Sequence, residues 1–172
     1  MNFLTLDYLS KGSPRQVEAF RLLQEQRWME WLQPYHPILV GTIPINIDVA
    51  GSDLDIICEV SDLEHFGQFL KSKFQFESSF QVHLKSINQI ASVVAKFEKE
   101  GYDIEIFGQN VPTQKQDAYR HMLVEHRILQ ERGDRFRKQI IDLKKQGVKT
   151  EPAFAQLLGL KGNPYQALLD LE

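Results

Sequence analysis

Asp53 and Asp55, in Gly51-Ser52-Asp53-Leu54-Asp55-Ile56, and Asp103 and Glu105, in Tyr102-Asp103-Ile104-Glu105-Ile106-Phe107, are the residues of this chain best suited to chemistry. In both stretches acids alternate with apolar residues. Along a strand, side chains at i and i+2 share a face about 6.5 to 7 Å apart, so each pair of acids points one way while its apolar neighbours pack behind. If the two segments lie side by side in one sheet, three carboxylates meet on one patch. Glu105, with isoleucine on both sides, is the favoured third acid; Asp103, nearer a turn, is the second choice. An acid in the middle of a strand is costly when buried without a metal or a partner. Oxygen-only donors suit magnesium or manganese, which keep positions open for substrate phosphates. Two such ions would orient a triphosphate and acidify an acceptor hydroxyl. Gly41, at the end of an apolar run, would let backbone approach a phosphate, and Thr42 and Ser52 would donate to its oxygens. The expectation is phosphoryl chemistry on a nucleoside triphosphate, ATP among them.

The elements that must position these residues follow from the punctuation of the chain. Ser13-Pro14-Arg15-Gln16 is a capping box with proline at the first helical position, and predicts a helix to about Gln33, before Pro34. Both tryptophans, Trp28 and Trp31, are expected in the core. Ile38-Leu39-Val40 and Leu54 to Val60 read as strands, and Ser61-Asp62-Leu63-Glu64 opens a helix to about Phe74. Gln75 to Lys85, Ser92 to Phe97 and Tyr102 to Phe107 read as three more strands, the last two a hairpin across Lys99-Glu100-Gly101. From Thr113 onward the pattern is helical. Gly133 caps one helix, Asp134 starts the next, Gly147 ends it, and Thr150 and Asn163-Pro164 begin two more. This is an α+β protein: residues 1–112 form a mixed-sheet core with an N-terminal helix, and 113–172 a C-terminal helical subdomain packed on it.

At 172 residues with 42% hydrophobic and 25% charged residues, the composition is that of an ordinary globular protein. The N-terminal residues do not run from a basic stretch into a long apolar one, and no apolar run reaches the length of a membrane span, so the expected setting is cytoplasmic with no membrane partner. The single cysteine, Cys58, lies in an apolar run and reads as a buried small hydrophobe. A net charge of −3 argues against a general nucleic-acid binder. The charge is uneven: Arg120 to Lys149 carries nine Lys and Arg against four acids, a balance of +5 that leaves −8 on the remainder. Within that basic segment Arg120, Arg127 and Lys149 are candidate triphosphate contacts, although most such residues are solvated helix faces.

The pattern of an apolar strand ending in Val40-Gly41-Thr42, then Ser52-Asp53-Leu54-Asp55-Ile56, then Ile104-Glu105-Ile106 resembles the nucleotidyltransferase superfamily that includes DNA polymerase beta, poly(A) polymerases and the small antibiotic nucleotidyltransferases. More narrowly, Gly-Tyr-Asp-Ile-Glu-Ile-Phe-Gly-Gln and Ala-Tyr-Arg-His-Met look like a small bacterial family of uncharacterised proteins assigned to that superfamily. The resemblance implies a nucleotidyltransferase-like fold and a metal site, and names no acceptor. Thr42 stands where Ser or Gly is usual, and residues 43–51 lack the basic side chains that many members carry there.

The residues then imply transfer of a nucleoside monophosphate to an acceptor hydroxyl, with Asp53, Asp55 and Glu105 catalytic and metal-binding. A small-molecule or protein acceptor is favoured over long nucleic acid, whose binding leans on phosphate neutralisation. The alternative is a catalytically silent module of the same fold, binding nucleotide or a protein partner in a regulatory or toxin-antitoxin pair. A haloacid-dehalogenase phosphatase needs an apolar strand directly before its first aspartate, which Val49-Ala50-Gly51-Ser52 does not supply. An EF-hand lacks its further acids. The histidines are too scattered for a metal site, since His121 and His126 do not share a helix face.

Overall fold

The computed structural model describes the whole chain, residues 1–172. Helix α1 (Pro14–Gln26) opens on the expected capping box: Ser13 Oγ accepts from Gln16 N, and the Gln16 side chain accepts from Ser13 N. It ends sooner than expected. Arg27, after the polar run Gln24 to Gln26, turns left-handed with φ 56°, and a separate short helix α2 (Trp28–Leu32) follows. This break sends Trp28 fully into the core, where it meets Phe97 edge-on at 5.2 Å, and leaves Trp31 at the rim beneath Lys73.

Five strands form one mixed sheet in the order β1-β2-β5-β4-β3. They are β1 (Ile38–Val40), β2 (Leu54–Glu59), β3 (Ser78–Ile87), β4 (Ile90–Lys99) and β5 (Tyr102–Gln109). Only β2 and β5 are parallel, and helix α3 (Leu63–Phe74), capped by Asp62, lies on the path between them. The remaining neighbours are antiparallel hairpin or edge pairs. In the outer hairpin β3 starts three residues later and ends two residues later than its sequence suggests, and β4 extends beyond Ser92 to Phe97 at both ends. Asn88 and Gln89, with φ of 50° and 66°, make a two-residue turn of the kind whose twist matches that of paired strands. The expected β4–β5 hairpin forms in the same way over Glu100 and Gly101.

Alternation along the strands divides the interior in two. On one face Leu54, Ile56 and Cys58 of β2 and Ile104 and Ile106 of β5 pack with α1, α2 and α3. On the other, Ile57, Val40 and Ile38 pack against α4 (Asp117–Lys145), α5 (Thr150–Leu158) and α6 (Pro164–Leu169). Gly133, at φ 73°, leaves helical geometry inside α4, so this element is two helical segments joined at the expected glycine. The fold is α+β, a five-stranded mixed sheet with helices on both faces. No helix is long and apolar enough to cross a membrane.

Candidate active site

The parallel register of β2 and β5 sets Asp55 directly beside Glu105, and the antiparallel register of β4 sets Lys96 beside Glu105. Asp55, Glu105 and Lys96 therefore form one row across three strands. Lys96 Nζ lies 2.6 Å from Glu105 Oε2, the partner a half-buried acid in mid-strand requires. Sequence reasoning missed Lys96, because only the strand register reveals it. Asp53 stands just before β2, one side-chain repeat from Asp55. At the end of β1, Gly41 has φ 86°, and a Cβ there would stand 2.6 Å from Asp55 Oδ2. Glycine is thus required both for the turn and for the room it leaves around the carboxylate.

The loop between Gly41 and Asp53 is tied down rather than extended. Ile43, Ile45 and Ile47 are buried, Gln16 Nε2 donates to the carbonyls of Ile43 and Pro44, and Arg137 Nη1 of α4 donates to those of Ile45 and Asn46. Ser52 Oγ accepts from Val49 N at 2.9 Å and lies 3.4 Å from Thr42 Oγ1. The two hydroxyls expected to meet phosphate are adjacent at one edge of the acids.

Asp53, Asp55, Glu105, Gly41, Thr42 and Ser52 all line a single cavity of about 610 Å³. Its floor is the sheet face carrying Asp55, Ile57, Glu105, Phe107 and Gln109; its roof is α4 and the start of α5. Asp103 is placed elsewhere. It shares its face of β5 with Glu105 but is exposed at the strand start, opposite Glu98, beside a separate small pocket.

The helical roof supplies residues that the sequence did not single out as site groups, Lys144, Glu125 and Glu151, and His121 lines the cavity beside them. Lys144 lines the cavity from the helical side. Burial lowers its pKa, while Glu125, Asp48, Asp53 and Glu151 act in the opposite direction. Burial, and then the charge of Glu151, push the Glu125 carboxyl well above the usual range. The signal for Lys144 was the basic segment itself, but helical phase alone could not say which lysine turns inward. Arg120, the expected phosphate contact, does not reach the cavity. Its guanidinium forks onto Glu172 at 2.9 and 2.6 Å and onto Asp117 at 3.1 Å, holding the C-terminal residues to α4. Arg127 likewise donates to the Leu171 carbonyl, and Lys149 is exposed.

No three His, Cys, Asp or Glu side chains converge into a ready-made metal cage, since Glu105 is turned toward Lys96. The donor set nevertheless fits a divalent cation. Burial first, then the charges of Asp53 and Glu105 and a hydrogen bond with Asp53, push the Asp55 carboxyl well above the usual range. Acids crowded in this way are relieved by positive charge placed between them.

The fold has solved counterparts. The Cid1 poly(U) polymerase in its MgGTP-bound form superposes with a TM-score of 0.56 at 12% identity, over 77% of this chain and 42% of that one. GLD-2 in the GLD-2/RNP-8 complex gives 0.57 at 13% identity, over 88% and 60%. A cytoplasmic RNA terminal U-transferase gives 0.54 at 13%, over 77% and 41%. The chain thus spans less than two thirds of each of these proteins. No curated protein matches the sequence. The family described as domain of unknown function (DUF4269) matches residues 21–171. The chain belongs to that family, and it shares its fold with these polymerase and transferase structures.

Proposed function

We propose that the protein is a metal-dependent nucleotidyltransferase that moves a nucleoside monophosphate from a nucleoside triphosphate to an acceptor hydroxyl. The observation that carries this reading is the Asp55–Glu105–Lys96 row, with Asp53 beside it, facing Lys144 across one cavity. Asp53 and Asp55, with Glu105 beside them, would hold magnesium or manganese, which when bound neutralises triphosphate charge and acidifies the acceptor hydroxyl. Lys144 meets the phosphates from the helical side, and Thr42 and Ser52 donate to their oxygens from the loop. The acceptor oxygen bonds to the α-phosphorus, the bond from that phosphorus to the β-phosphate oxygen breaks, and pyrophosphate leaves. Glu105, beside Asp55, takes the acceptor proton. The fold that this chain shares with poly(U) and terminal U-transferases supports the class of reaction. The acidic cavity favours a small-molecule or protein acceptor over long nucleic acid.

The Lys96–Glu105 ion pair favours a second reading, in which the third acid is committed to the fold and the cavity binds nucleotide without turnover. Pyrophosphate release separates the two. Incubated with magnesium, labelled nucleoside triphosphate and fractionated cell extract as acceptor source, the wild type should release pyrophosphate and label a product; Asp53→Ala and Asp55→Ala should do neither. Equal release by both variants would end the proposal.

A further inference from the structure

Lys96 is the member of the acid row to which the proposed reaction gives no task. It stands opposite Glu105 on β4, beside the cavity rather than in its lining, and its side chain is 56% exposed. A lysine at this position has several carboxylates to choose from. Glu98, two residues along β4, and Asp103, opposite Glu98 on β5, share its face of the sheet and are both exposed, at separations that a long side chain spans. The ammonium goes to neither. Nζ lies 2.6 Å from Glu105 Oε2, drawn along the row toward the site. A pair this open to water adds only modestly to stability; what it changes most is the chemistry open to Glu105.

Of the three acids, Glu105 alone has a basic partner; neither Asp53 nor Asp55 is ion-paired. A divalent cation taken up by Asp53 and Asp55 meets no competitor. One held between Asp55 and Glu105, as a second ion would be, shares the Glu105 carboxylate with an ammonium already at hydrogen-bond distance. Like charges that close repel strongly, so a second ion enters only if Lys96 leaves. In keeping with this, no three His, Cys, Asp or Glu side chains converge on one point. Lys96 holds Oε2 and leaves Oε1 of the same carboxylate open.

We propose that Lys96 is a built-in cation that takes the place of a second metal ion at Glu105, so that the site works with a single divalent cation held by Asp53 and Asp55. The inference rests on the nucleotidyltransferase reading and deepens it, because it gives the ion pair a part in the transfer. Lys96 acts through Glu105 as a positioning residue. It fixes one carboxylate oxygen, leaves the other to take the acceptor proton, and keeps positive charge on the acceptor side. An ammonium is a compact point charge, and one carried by the chain is present whatever the metal concentration. Arginine at this position keeps the charge; methionine keeps the length of the side chain and removes it.

The test counts ions rather than product. Full-length protein, with an equimolar ATP analogue carrying a methylene group between the α- and β-phosphorus, is titrated with manganese, and bound ions are counted by electron paramagnetic resonance. The wild type and Lys96→Arg should each take up one ion per chain. Lys96→Met should take up two, and Lys96→Met/Glu105→Gln one again. Two ions about 3.5 to 4 Å apart also couple magnetically, so the wild-type spectrum should show isolated manganese and that of Lys96→Met a coupled pair. Lys96 is exposed, so its variants should fold; the wild-type spectrum reads the ion count even if Lys96→Met does not. A coupled pair in the wild type, or a single ion in folded Lys96→Met, overturns the role given to Lys96 and leaves the proposed transfer standing. No nucleotide-dependent uptake of manganese by the wild type removes both.

Discussion

Asp55 and Glu125 are carboxyls whose burial works against folding, and that makes them testable as single residues. Asp55 is crowded by Asp53 and Glu105, so without a cation its ionised form is costly. Asp55→Asn removes that charge and keeps a hydrogen-bonding side chain. It should raise the thermal stability of the metal-free protein, by about 1 kcal/mol, while abolishing turnover; calorimetric melts with and without magnesium measure both sides of the trade. Glu125 is 4% exposed and its pKa is raised well above the usual carboxylate range, first by burial and then by Glu151. A carboxyl raised in the folded state binds more protons folded than unfolded between its unfolded and folded pKa values. Stability therefore falls as pH rises through that window. Glu125→Gln should flatten this slope above the ordinary glutamate pKa, as read from denaturant midpoints across pH; an unchanged slope would show that Glu125 does not carry it. Lys144→Met should weaken binding of every nucleoside triphosphate by at least about tenfold, roughly 1.4 kcal/mol. Arg120→Ala should leave nucleotide affinity unchanged, because its guanidinium is committed to Glu172 and Asp117.

Among the elements, those that position the acids were readable because their signals are local. Acid-apolar alternation fixed the faces of β2 and β5, the Ser13 capping box fixed the start of α1, and Gly133 marked the kink in α4. What the sequence left hidden was the register of the paired strands. Lys96 sits in an ordinary strand run, and becomes a site residue only when the β4–β5 register puts it beside Glu105. The inward turn of Lys144 depends in the same way on how α4 packs after its kink. Arg120 was misplaced because a basic helical residue can serve a phosphate or a nearby carboxylate equally well, and here Glu172 lies within reach. The helix expected to run to Gln33 breaks at Arg27 because tertiary packing of Trp28 outweighs local helix preference. The loop 42–52 offers an element-scale test. Arg137 ties it to α4 and Gln16 ties it to α1, so Arg137→Leu should speed hydrogen exchange in residues 42–52 and lower nucleotide affinity, with the sheet's protection unchanged.

At the scale of the molecule, two apolar interiors back the two faces of one sheet, and the cavity opens where the face beneath α4 turns from isoleucine to acid. Acids come from the sheet and Lys144, proposed to meet phosphate, from the helices, so the proposed site requires both parts to be packed together. Residues 1–112 expressed alone should keep the acids but lose Lys144, Glu125 and the roof of the cavity, and with them nucleotide binding. The measurement that bears most directly on the account is calorimetric titration of the whole chain with magnesium and ATP, beside the same titration of Asp53→Ala/Asp55→Ala. The account predicts magnesium-dependent binding by the wild type and none by the double variant, with both proteins folded. Binding that persists in the double variant, or that ignores magnesium, would contradict it.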